Sequence, residues 1–166
     1  MRTISTIGYE GSDIEAFVNT LIDNNIDLIL DIREIPLSRK KGFSKNLLRE
    51  RLETNGIGYR HEKDLGSPKP IREKLYKDKN YEDFFRSFDK HLETQSNLIS
   101  GLCKDLKGNV ALLCFEKDVL TCHRKSVARE MSAILGRKPR HLVVQAKSKE
   151  NGKSKDLHIG KSLSPA

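Results

Sequence analysis

Two short apolar segments, residues 26–32 and 110–114, constrain the fold most. Each is too short for a core helix, and their Ile, Leu and Val residues fall at neighbouring positions rather than only at alternate ones. A strand that is apolar on both sides must be covered on both sides, which is the habit of parallel sheets sandwiched between helices. The rest of the chain supplies the helices. Ser12 or Asp13 caps one with Ile14, Phe17, Val18, Leu21 and Ile22 at helical spacing, ended by Asn24-Asn25. Ser44 caps a second with Leu47, Leu48 and Leu52. Residues 80–106 carry one long stripe through Phe84, Phe85, Phe88, Leu92, Leu98, Leu102 and Leu106. Residues 122–135 carry another through Val127, Ala128, Met131, Ile134 and Leu135. Further strands are expected at 3–7, ending at Gly8, at 56–61, and after Gly136 at 141–144, while residues 65–70 (LGSPKP) read as irregular loop. The alternation predicts a single Rossmann-like three-layer α/β domain over residues 1–145, with a mostly parallel five-stranded sheet. Residues 146–166 turn to Lys, Ser and Gly and are expected to form a basic, weakly ordered tail.

Charge narrows the partners. The chain carries a formal net charge of +8 with a pI near 9.4, which favours an anionic substrate or a polyanion, a nucleotide or nucleic acid among them. Residues 33–51 hold Arg33, Arg39, Lys40, Lys41, Lys45, Arg49 and Arg51 against Glu34 and Glu50. No segment reaches the ~18 apolar residues of a membrane helix. The start, MRTISTIGYEG, runs directly into a strand-like segment and predicts no secretory leader. Three cysteines without an export signal point to a reducing cytoplasm rather than a disulfide framework. Nothing in the sequence sets an oligomeric state. Neither a Gly-x-Gly-x-x-Gly fingerprint nor a Walker loop is present, so no dinucleotide or ATP site is predicted and no cofactor is expected.

Polar residues follow each expected strand: Gly8, Tyr9 and Glu10, then Asp31 and Arg33, then His61 and Glu62, then Cys114 and Glu116. In open α/β sheets that edge is where ligands bind. The stretch 112–129, LLCFEKDVLTCHRKSVAR, is the richest of them. It places Cys114 at a strand end and Cys122, His123 and Arg124 where a helix opens, a place suited to an anion or a thiolate. The candidate reacting groups are therefore Cys122, Glu116, His123, Cys114 and Asp31. Beside Arg124, the Cys122 thiol is expected to fall toward neutrality, with His123 as its base and Glu116 orienting His123. The candidate anion ligands are Arg33, Ser38, Arg39, Arg124, Gly8 and Tyr9, with Tyr9 or Tyr59 offering a ring to a base. Cys103 shares a face with Ile99 and Leu106 and reads as core. Cys114, Cys122, His123 and His61 together have zinc-ligand chemistry, but the Cys-x7-Cys-His spacing matches no common zinc pattern, and no metal is expected.

Taken together, these pieces resemble the domain-of-unknown-function 488 family. The resemblance rests on Thr6-Ile7-Gly8-Tyr9, on Asp31-Ile32-Arg33 with Pro36, Ser38-Arg39 and Phe43, on Leu65-Gly66, on Leu113-Cys114-Phe115-Glu116 and on Cys122-His123-Arg124. It spans roughly residues 2–145. Ile32 stands where the family usually has valine, and Ser67 where a second glycine is common. The resemblance implies an intracellular α/β domain with a polar pocket and no settled activity. A looser likeness to rhodanese-type sulfurtransferases rests on Asp31-Ile32-Arg33-Glu34 and on Cys114, with a longer loop after Cys114 than the rhodanese cradle has.

Three functions fit these residues. The leading one is an enzyme acting on a phosphorylated or nucleic-acid substrate, with Arg33, Arg39 and Arg124 on the anion and Cys122 and Glu116 as the reactive pair. The second is a non-enzymatic nucleic-acid-binding module using the same arginines and the lysine tail. The third is sulfur transfer through a persulfide on Cys114.

Overall fold

The protein is described by a computed structural model covering residues 3–145. The tail expected at 146–166 lies outside them. Five strands form one sheet in the order β3-β2-β4-β1-β5, every pairing parallel. They are β1 (Thr3–Gly8), β2 (Leu28–Asp31), β3 (Gly58–His61), β4 (Asn109–Cys114) and β5 (Arg140–Leu142). Among the described residues the α-helices are α1 (Ile14–Asp23), α2 (Lys45–Thr54), α3 (Lys69–Asp78), α4 (Tyr81–Glu93), α5 (Ser96–Asp105) and α6 (Arg124–Leu135).

Both sides of the sheet are covered, as the apolar strands require. Along β4 the side chains alternate. Val110 and Leu112 face Phe88, Leu92, Ile99, Leu102, Val127 and Met131 of α4, α5 and α6. Ala111 and Leu113 face Phe17, Val18, Leu21, Leu48 and Leu52 of α1 and α2. The arrangement is the three-layer α/β fold, with an all-parallel sheet.

Local signals explain most elements. Asp13 caps α1, its carboxylate accepting the Ala16 N–H at 2.8 Å. Ser44 occupies the cap position of α2, but its hydroxyl bonds the Ser38 backbone instead, at 3.1 Å to both N and O. That closes the basic loop 38–44 on itself. The stripe over 80–106 is two helices, broken at Thr94-Gln95, where the Thr94 hydroxyl turns back to the His91 carbonyl at 2.6 Å. Residues 65–70 are loop only in part, because α3 begins at Lys69, just after Pro68, with Pro70 in its first turn. The last strand is shorter and earlier than expected, Arg140–Leu142 rather than 141–144.

The strand order locates a crevice. From β1 the chain crosses through α1 to β2, beyond β4; from β4 it crosses through α6 to β5, beyond β1. The central neighbours β1 and β4 thus send their connections in opposite directions and over opposite faces. Ligands bind at such a switch point, outside the carboxyl ends of the strands. Here those ends are Gly8 and Cys114, which sit opposite each other in register.

Candidate functional site

Gly8 is small for a reason. A Cβ there would collide with the Glu116 carbonyl oxygen and lie 2.6 Å from its carbon. The loop after β4 folds tightly over the end of β1, so Glu116 turns back toward Cys114. The Cys114 thiol then lies 2.8 Å from Glu116 Oε2 and 3.6 Å from His123 Nδ1. Cys122 Sγ lies 4.0 Å from the same nitrogen and accepts the Arg124 N–H at 3.4 Å. His123 is fixed by its Nε2, 3.0 Å from the Ile32 carbonyl, and by the Phe88 ring it meets edge-on at 5.2 Å. Segments 91 residues apart therefore define one cluster.

Burial sets its electrostatics. The Cys122 thiol is pushed well above its ordinary value by burial, with Cys114 adding to the rise. Cys114 is raised by burial as well. The expected drop in Cys122 is thus reversed: the helix-end N–H reaches its sulfur, but loss of water outweighs that single contact. Burial alone would raise Glu116, yet the Cys114 thiol and His123 outweigh it and hold the carboxyl below its usual range. Burial would lower the His123 imidazole, but Cys122 and Glu116 outweigh that and raise it.

The arginines divide into struts and free hands. Arg33 turns inward. Its Nε and Nη2 hold Asp31 at 2.8 and 2.6 Å, and its Nη1 reaches the Phe43 carbonyl at 2.7 Å and the Tyr9 hydroxyl at 3.2 Å. Asp31 also accepts from the Tyr59 hydroxyl at 2.6 Å, so Asp31 and Tyr59 are tied up in the same network. Tyr9 stacks on Phe43 at 4.3 Å within the core. Arg124 is buried, donating to the Glu116 carbonyl and, at 3.0 Å, to that of Lys117. It pins the loop that carries Glu116. His61 is committed to the Arg33 carbonyl at 2.8 Å and to Lys45, away from the cysteines. Cys103 is buried against α6, as read.

What remains opens onto a cavity of about 350 Å³. It is lined by Cys114, Glu116 and His123 together with Ser38, Arg39, Ser67, Arg72 and Tyr76. Among the described residues Arg39 has no ion pair, and it is exposed. The Ser67 hydroxyl is buried and has no hydrogen-bond partner among those residues. Leu37, Tyr76 and Phe115 leave apolar surface exposed around the cavity. Arg72, Ser67 and Tyr76 were not among the candidates read from sequence. They come with α3 and its lead-in, where the pair Ile71 and Leu75 at helical spacing was the available signal. The donor atoms of Cys114, Glu116, Cys122 and His123 lie within 4.8 Å of one another, a set able to hold a metal although its sequence spacing is unusual.

Fold and site together define a parallel α/β domain with a thiol, carboxylate and imidazole cluster at the switch point of its sheet. Among the described residues no helix is long and apolar enough to cross a membrane. The family model described as domain of unknown function DUF488 matches residues 13–131, and the chain belongs to that family. The matched span holds Asp31, Arg33, Cys114, Glu116, Cys122, His123 and Arg124; it starts after β1 and ends within α6, so β1 and β5 lie outside it. No curated protein and no solved structure matches the chain.

Proposed function

We propose that the protein is an enzyme acting on a phosphorylated substrate of about nucleotide size, bound in the cavity at the carboxyl edge of the sheet. The observation that carries this reading is that Arg39, without an ion pair among the described residues, and the buried Ser67 hydroxyl, unsatisfied among them, line one cavity with Cys114, Glu116 and His123. A volume of about 350 Å³ fits the range of small-molecule sites, roughly 300–1,000 Å³. Arg39, with Ser38 and Ser67, takes the phosphate, and Arg72 adds positive charge although its guanidinium is already held by Glu34 and the Ser67 carbonyl. Phe115 and Tyr76 offer apolar surface to the rest of the ligand. Arg33 and Arg124 serve this site by holding its walls. The reacting part of the substrate faces the carboxylate and imidazole of Glu116 and His123.

Calorimetric titration with nucleoside monophosphates and with inorganic phosphate tests the reading. One site per chain is expected, with Arg39→Ala weakening nucleotide binding about tenfold or more, the worth of one charge-assisted contact. The salt dependence should be that of one phosphate. Binding confined to oligonucleotides, with a steep fall as salt rises, would replace the enzyme by a nucleic-acid-binding module.

A further inference from the structure

Three residues that line the cavity, Cys114, Glu116 and His123, form a complete donor set with the buried Cys122 behind them. The geometry points to a site for a borderline-soft divalent cation of the zinc class, held by Cys114 Sγ, Cys122 Sγ, His123 Nδ1 and a Glu116 carboxylate oxygen. The site shares Glu116 and His123 with the reacting groups proposed above, and an ion bound there would take both as ligands; it rests on the donor atoms alone and does not depend on the phosphate. Two sulfurs, one nitrogen and one oxygen are the ligand types zinc uses. Zinc bonds of about 2.3 Å to sulfur and 2.0–2.1 Å to nitrogen put those two atoms about 3.6 Å apart in a tetrahedron. His123 Nδ1 stands 3.6 Å from Cys114 Sγ and 4.0 Å from Cys122 Sγ. The Cys114–Glu116 distance of 2.8 Å is that of a thiol donating to a carboxylate. It opens by about 0.8 Å once the proton leaves and both atoms bind the ion.

The surroundings are arranged for the same purpose. A carbonyl oxygen only accepts, so the Ile32 contact at 3.0 Å places the hydrogen of neutral His123 on Nε2. Nδ1 is then the nitrogen free to bind. Cys114 Sγ stands beside the imidazole, 3.6 Å from Nδ1 and 3.9 Å from Nε2, so the ring has to turn to bring the Nδ1 lone pair onto the ion. An imidazole backed by a carbonyl is the usual outer support of a metal-bound histidine. The Arg124 N–H reaches Cys122 Sγ at 3.4 Å, a contact that favours a thiolate ligand. Two thiolates, one carboxylate and a divalent ion leave one net negative charge, and the buried Arg124 guanidinium sits on the adjoining loop carbonyls. Three of the four ligands line the cavity, which gives the ion its way in.

Cobalt reports this geometry directly. The full chain, purified and stripped with a chelator, is titrated with Co²⁺ and then with Zn²⁺. One equivalent of Co²⁺ is expected to bring the intense visible bands of a tetrahedral ion together with near-ultraviolet thiolate-to-metal charge transfer. One equivalent of Zn²⁺ should erase both. Cys103→Ser should keep the spectrum, Cys114→Ser and Cys122→Ser should each lose about half of the charge-transfer intensity, and the double variant should lose all of it. The spectrum of hydrated Co²⁺ persisting in the wild-type chain would overturn the site without reference to any variant. Unchanged bands in the double variant would overturn the ligand assignment.

Discussion

Replacing Arg33 with methionine separates a strut from a substrate ligand. Arg33 is 6 % exposed and Asp31 fully buried, and four side-chain contacts join the guanidinium to Asp31, Tyr9 and Phe43. Methionine keeps much of the packing volume and removes every donor. Asp31 then retains the Tyr59 hydroxyl and the backbone N–H of residue 33, at 2.6 and 3.1 Å, without a counter-charge. Leaving one partner of a buried ion pair uncompensated costs about 3–5 kcal/mol. For a chain of this size the melting temperature should fall by about 10 °C. Changing Asp31 to asparagine as well removes the stranded charge, so the double variant should recover much of the loss. Urea unfolding followed by circular dichroism gives the three free energies of the cycle. A single-variant cost below about 1 kcal/mol, or a double variant no better than the single one, would refute the assignment of Arg33 as a strut and return it to the ligand.

Glycine positions give a paired test. Gly8→Ala forces the Glu116 loop away from β1 and should cost about 1–3 kcal/mol or more, while Gly101→Ala, in open space within α5, should stabilise by up to about 1 kcal/mol; thermal melts compare them. For Glu34, burial would raise the carboxyl, but Arg72 outweighs it and holds it below its ordinary value. The folded chain therefore binds its proton less readily than the unfolded one, and this stabilisation is whole above the unfolded value of ~4.3 and lost as pH falls through the folded one. Glu34→Gln should flatten that acid limb in a stability-versus-pH series. Cys114 and Cys122 are 3 % and 1 % exposed and should react with iodoacetamide in the native chain far more slowly than after unfolding in urea, as peptide mass spectrometry would read.

Much of this architecture was written in local pattern. The apolar segments at 26–32 and 110–114 demanded a covered sheet, and Asp13, Ser44 and Gly136 marked helix ends where chains usually mark them. The break at Thr94 escaped notice because the apolar stripe keeps its phase across it, Leu92 to Ile99 spanning two turns. The helix α3 escaped because it buries no residue fully and starts among prolines that also signal loops. At the site, convergence of strand ends on one crevice was legible, since it follows from parallel order alone. Side-chain direction was not. Arg33 and Arg124 sit where a ligand-binding arginine would, and whether they face the cavity or brace it depends on contacts with Phe43, Asp31 and the 116–117 carbonyls. The lowering expected at Cys122 failed for a related reason: sequence gave its neighbours but not its burial.

The central claim is that the Cys114–Glu116–His123 crevice is where this protein meets its substrate, and backbone amide spectra of the labelled full chain test it most directly. Titration with a nucleoside monophosphate should move the amides of Ser38, Arg39, Ser67, Phe115, Glu116 and His123, saturating together with one dissociation constant. Shifts confined to surfaces outside the cavity, with those amides unmoved at saturation, would contradict it.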